Sequence, residues 1–149
     1  MDSDGQERIL QQLRLFIKQL RNVPNPNKDK YAVGTLCSTG ELLNDPCNPS
    51  KHGSFWQHNG PFQTVQEYAD KVNELYDYEP RFEVDTPATF DHMDWFPCNV
   101  LVDEKCERVV GLLDWEKAGF IPDPIDNFLR GASIESRRKH QWLSLFNED

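Results

Sequence analysis

The sequence predicts an α+β domain, and three observations lead there. Two segments, residues 9–23 and 64–75, carry apolar residues at the alternating three- and four-residue spacing of an amphipathic helix. Two β-branched runs, 99–103 and 108–114, flank the short connector EKCE and read as the strands of one hairpin. The chain has 149 residues, 38% hydrophobic and 28% charged, which suits a single folded domain over residues 1–149.

In the first helix, Ile9, Leu13, Phe16, Leu20 and Val23 line one face. Asp4 with Glu7 three residues on supplies a start signal, and Pro24 stands where the helix has to stop. The stripe faces either a partner or, as expected for most such helices, the core of its own domain. From residue 24 to 60 turn-formers interrupt every periodic run, leaving YAVGTL as the one strand candidate. A connection this long either wraps a binding cleft or makes an ordered surface excursion. In the second helix, Thr64 and Glu67 form a capping box ahead of Val65, Tyr68, Val72 and Leu75. The two hairpin strands follow, then EKAGFIPDP, which reads as loop, and a weaker helical period from residue 125 to 146 broken by Gly131. There are no repeats.

The 25 acidic residues outnumber the 16 basic ones, for a net charge of −9, and the resulting field repels phosphate backbones and anionic membranes. Nucleic acid is therefore excluded as a partner, whereas the same acidity either attracts a cationic small molecule or simply maintains solubility. Cys37, Cys47, Cys98 and Cys106 have no CxxC pairing and no neighbouring histidines, so free thiols are expected rather than a zinc or redox site. No stretch approaches the ~18 apolar residues of a membrane span, and the polar, acidic N-terminus does not resemble a signal peptide. A reducing, cytoplasmic compartment and no membrane partner are expected.

The stretch FDHMDWFPCNVLVD carries the chemistry. His92, Asp94 and Asn99 stand in the pattern H-x-D-x-x-x-x-N, with a strand beginning at the asparagine and a second strand ending at Asp114. A loop carrying Asp94 can offer one carboxylate as a base to a hydroxyl, while Asn99 and Asp114, at the two chain ends of the hairpin, can converge on one hard cation. Phosphoryl transfer needs such parts. Trp95, Phe96 and Trp115 are expected in the core rather than stacked on a ligand.

Taken together, HMDWFPCNVLVD and GLLDWEKAGFIPD resemble the catalytic and metal-binding segments of the aminoglycoside phosphotransferase and choline kinase family, which shares the protein-kinase fold. QLRNVPNP and NGPFQTVQEYADKV extend the resemblance to the C-terminal lobe of its fungal-type branch, over residues 9–127. The resemblance implies a protein-kinase-like C-terminal lobe, mostly helical, with its catalytic and metal segments in a β-hairpin region at 90–120. It implies Asp94 as catalytic base with His92 holding the loop beside it, and Asn99 and Asp114 as Mg²⁺ ligands. ATP would be the phosphate donor and a small-molecule hydroxyl the acceptor. The family's H-G-D-L-H-P-G-N is here H-M-D-W-F-P-C-N, so Met93 and Phe96 crowd the loop, and Ile125, Asp126 and Asn127 stand where W-E-Y is usual.

The family's N-terminal ATP-binding lobe has no counterpart: the first 24 residues read as helix, and no G-x-G-x-x-G occurs. Three functions follow. The first is an ATP-dependent phosphotransferase whose missing lobe is supplied by a homodimer or partner chain. The second is a lobe repurposed for ATP-independent acid/base chemistry, a cyclisation or isomerisation using Asp94 and His92. The third is a non-catalytic module that binds a partner through the uncovered face.

Overall fold

The computed structural model describes residues 3–36, 42–43, 60–76 and 82–122. Within them, helix α1 spans Ser3–Arg21 and helix α2 spans Val65–Tyr76. In α1 the buried stripe is Ile9, Leu10, Leu13 and Ile17, with Phe16 and Leu20 half-buried at its edge. The core-facing expectation holds, but Val23 lies past the helix end, exposed. Asp4 sits inside the first turn rather than capping it, where its carboxylate still favours the positive end of the helix dipole. Before Pro24, the N–H groups of Asn22 and Val23 bond back to the Gln19 and Leu20 carbonyls at 3.1 and 2.9 Å, tightening the last turn.

α2 begins as the capping box predicts, with Thr64 Oγ1 accepting the Glu67 N–H at 3.1 Å. The reciprocal bond falls one residue earlier than expected: Glu67 Oε2 accepts from the Gln63 N–H at 2.8 Å. Tyr68 and Val72 on the inner face are fully buried.

Two antiparallel sheets complete the described architecture. Strands β4 (Val100–Val102) and β5 (Val109–Leu112) form the expected hairpin, with Val100 opposite Leu112 and Val102 opposite Val109. The register shifts between Leu101 and Val102, which makes Val110 the extra residue of a bulge. The second sheet was only partly foreseen. It has the order β2-β1-β6-β3, built from β1 (Gly34–Leu36), β2 (Leu42–Leu43), β3 (Thr89–Asp91) and β6 (Gly119–Ile121). β1 lies inside YAVGTL, whereas β2 falls in a segment read as loop. β6, also read as loop, is an inner strand buried along its whole length, pairing Phe120 with Phe90 on one side and with Gly34 on the other. A three-residue strand covered on both faces shows no alternation, so periodicity cannot find it.

Among the described residues the core forms three clusters, and the loop after β3 enters two of them. Trp95 joins Ile9, Leu10, Leu13 and Ile17 of α1, against which the hairpin residues Val100, Val102, Val109 and Leu112 pack. Met93 joins Val33, Phe62, Tyr68, Val72 and Ile121. Phe90, Ala118 and Phe120 form the third. Each large side chain buried this way contributes roughly 1.5–3 kcal/mol, so Trp95 and Met93 anchor the loop through their apolar packing. Trp95 is therefore a core residue as expected and Phe96 is half-buried, but Trp115 is 41% exposed and is not.

Cys98 and Cys106 are free thiols; Cys37 and Cys47 lie outside the described residues, as do the predicted helix at 125–146 and Ile125, Asp126 and Asn127. Among the described residues no helix is long and apolar enough to cross a membrane.

Candidate functional site

The site is built from the loop that links β3 to β4 and from the residues that follow β5. Asp91, the last residue of β3, is fully buried, and its Oδ1 accepts the Met93 N–H at 2.7 Å and the Trp95 indole N–H at 2.8 Å. Its Oδ2 has no hydrogen-bond partner among the described residues. Burial pushes this carboxyl up to about 6, against the two hydrogen bonds and the charge of Arg21. The tight turn around Asp91 places Met93 at φ 59°, the left-handed region where glycine is at ease and which costs other residues about 1–2 kcal/mol. The glycine of H-G-D would suit this backbone. Met93 holds it because its side chain is packed into the second core cluster.

His92 spans the gap between the loop and β5. Its Nδ1 accepts the Asp94 N–H at 3.3 Å, so that nitrogen carries no proton, and Nε2–H donates to the Leu113 carbonyl at 2.8 Å. Burial foremost lowers its pKa, in opposition to the Leu113 carbonyl and the charges of Asp94 and Asp114, which keeps the ring neutral in this role. With both nitrogens engaged, His92 acts as a strut.

Asp94 is oriented from several sides. Its backbone carbonyl accepts the Phe96 N–H at 2.8 Å and the Asn99 Nδ2–H at 2.9 Å. Its Oδ2 is paired with Lys117 Nζ at 3.1 Å, and Oδ1 has no hydrogen-bond partner among the described residues. Asn99 ends a 3₁₀ turn over Pro97–Asn99, and its carbonyl accepts the Leu113 N–H at 2.8 Å. That bond brings Asp114 to the same open end of the hairpin as Asn99. Asp114 is exposed, at φ 64° and ψ 63°, and starts a second 3₁₀ turn, Trp115–Lys117, that returns the chain toward Asp94.

The structure thus gathers His92, Asp94, Asn99 and Asp114, all four singled out from the sequence. Two further residues were missed. Lys117 lies in a segment read as loop, and only its place three residues after Asp114 across a tight turn could have flagged it. Asp91 carries no sequence signal beyond standing next to Phe90.

The donor set can be tested against the Mg²⁺ that the resemblance implies. Because Asn99 uses its amide nitrogen on Asp94, its Oδ1 is the outward end of the side chain, and among the described residues its hydrogen-bond contact is the Cys98 thiol at 3.7 Å. The Asp114 carboxylate makes no capping bond. One amide oxygen and one carboxylate are hard donors that fit a cation retaining several waters. Among the described residues there is no group of three or more His, Cys, Asp or Glu that could hold a metal by itself.

No family model matches the chain, and neither does any curated protein or solved structure.

Proposed function

We propose that the domain is a small-molecule phosphotransferase module of the aminoglycoside phosphotransferase type. In this reading Asp94 Oδ1 takes the proton of an acceptor hydroxyl as its oxygen forms a bond to the γ-phosphorus of ATP; the bond from that phosphorus to the β–γ bridging oxygen breaks, and ADP leaves. Asn99 and Asp114 would hold Mg²⁺, which when bound offsets charge on the phosphates. One observation carries the reading: three short-range ties, Asp94 N–H to His92, Asn99 Nδ2–H to the Asp94 carbonyl and Leu113 N–H to the Asn99 carbonyl, hold a candidate base and two hard oxygen donors at one hairpin end. Among the described residues, the second oxygen of that base has no hydrogen-bond partner.

Calorimetric titration of ATP, with and without Mg²⁺, into the protein and its Asp114→Ala variant tests this. Metal-dependent binding lost in Asp114→Ala supports the reading, and an Asp94→Asn variant that still binds ATP yet phosphorylates no hydroxyl acceptor completes it. Absence of binding at millimolar ATP would sink the solitary enzyme.

A second reading, a module that binds a partner chain, is favoured by apolar exposure around the hairpin. Val110 is 63% exposed, Leu113 45%, Leu101 44% and Trp115 41%. A groove of about 310 Å³ between α1 and β5 is lined by Phe16, Leu20, Val109 and Leu112. Light scattering on an eluting peak distinguishes a dimer from the 17.4 kDa monomer. The ATP-independent alternative gains least, because both ring nitrogens of His92 are already engaged and only Asp94 is left for proton transfer.

A further inference from the structure

We propose that Lys117 is a phosphate-binding residue of this site, its ammonium anchored on Asp94 and its remaining N–H donors offered to the phosphoanion of the nucleotide donor; the inference rests on the phosphotransferase reading. An ammonium has three donors. Lys117 places one on Asp94 Oδ2 at 3.1 Å, and among the described residues no other partner takes the rest. The lysine side chain is 42% exposed and the carboxylate 8%, so the cation lies on the solvent side of the base, where a donor would enter.

The stem that carries it is held firmly. The turn Trp115–Lys117 is closed by the Ala118 N–H on the Trp115 carbonyl at 2.9 Å. Trp115 is itself fixed by its indole N–H on the Leu112 carbonyl at 2.9 Å, by edge contact with the His92 ring at 4.6 Å and by stacking on Phe90 at 6.5 Å. A cation already ordered by Asp94 loses little further freedom when an anion docks. Only the lysine end of the pair is open to solvent: one N–H compensates the buried Asp94 carboxylate, which the fold needs, and the outward donors serve no contact among the described residues. Asp94 and Asp114 would both repel a polyphosphate, in a chain of net charge −9, and Lys117 is a positive group paired directly with the first of them.

The test titrates inorganic tripolyphosphate and, separately, ATP, each with Mg²⁺, into the full chain and into Lys117→Met and Lys117→Arg, with thermal unfolding of every variant. Tripolyphosphate isolates phosphate recognition from any adenine pocket. Lys117→Met should weaken both ligands about 10- to 100-fold, the range for a hydrogen bond to a charged group. Lys117→Arg should stay within about threefold of the wild type, and the wild type should lose affinity with salt more steeply than the methionine variant. Should Lys117→Met unfold, Lys117→Gln takes its place. Equal binding by wild type and Lys117→Met overturns the inference and leaves the phosphotransferase reading standing. So does ATP binding without tripolyphosphate binding, or equal loss in the methionine and arginine variants with a matching drop in thermal stability. Failure of the wild type to bind either ligand overturns both.

Discussion

Asp91 makes the stability of the domain depend on pH in a way that a single substitution removes. Its carboxyl titrates near 3.8 in an unfolded chain and is pushed up to about 6 by burial in the fold. Between those values the folded protein holds a proton that the unfolded chain has released. The contribution therefore favours the fold most at the acidic end, declines as pH rises through the window, and is constant above it. At about 1.4 kcal/mol for each tenfold change in proton affinity, the total is about 3 kcal/mol, of which about 2 falls between about pH 4.5 and about pH 7.5. Asp91→Asn retains an oxygen to accept the Met93 and Trp95 N–H bonds but cannot titrate. Urea unfolding of both proteins, followed by tryptophan fluorescence, gives a difference in which the other titrating groups cancel. The stability of Asp91→Asn relative to wild type should rise by about 2 kcal/mol from about pH 4.5 to about pH 7.5. A difference that stays flat across that range would refute the argument that a desolvated, half-satisfied carboxylate anchors the loop.

Three further outcomes follow from the same geometry. Met93→Gly loses a packed side chain but relieves the left-handed backbone, whereas Met93→Ala loses the packing and keeps the strain; the glycine variant should be the more stable by about 1 kcal/mol in thermal unfolding, and the reverse order would contradict the strain. Gln12 ties α1 to the hairpin, donating to the Glu107 carbonyl at 2.9 Å and accepting the Val109 N–H at 3.0 Å. Gln12→Ala should cost about 1–2 kcal/mol and speed hydrogen exchange at the Val109 amide, with unchanged exchange counting against the tie. Thr64→Ala removes the α2 cap and should cost about 1 kcal/mol by urea unfolding, while Thr64→Ser stays close to wild type.

Both helices, the hairpin and the α2 cap were legible because each depends on residues a few positions apart. The same holds for the spacing that joins His92, Asp94 and Asn99 in one loop. Short strands were less legible. β3 and β6 have three residues each, and their pairing of Phe90 with Phe120 is set by partners thirty positions away in the chain. Trp115 was misjudged for a related reason: its size suggested burial, but the turn after Asp114 turns the ring onto His92 and leaves one side exposed.

By itself, then, the sequence determined the α+β class, the elements with clear periodicity and the spacing of His92, Asp94 and Asn99 in one loop. Tertiary structure alone decided how that loop is held. Asp91 is buried beneath it, Met93 is bent into the left-handed region, His92 reaches the Leu113 carbonyl 21 residues on, and Lys117 meets Asp94 across 23. Contacts at that separation exist only once the sheet and hairpin have packed, because loop closure in the unfolded chain costs entropy that local propensity cannot offset.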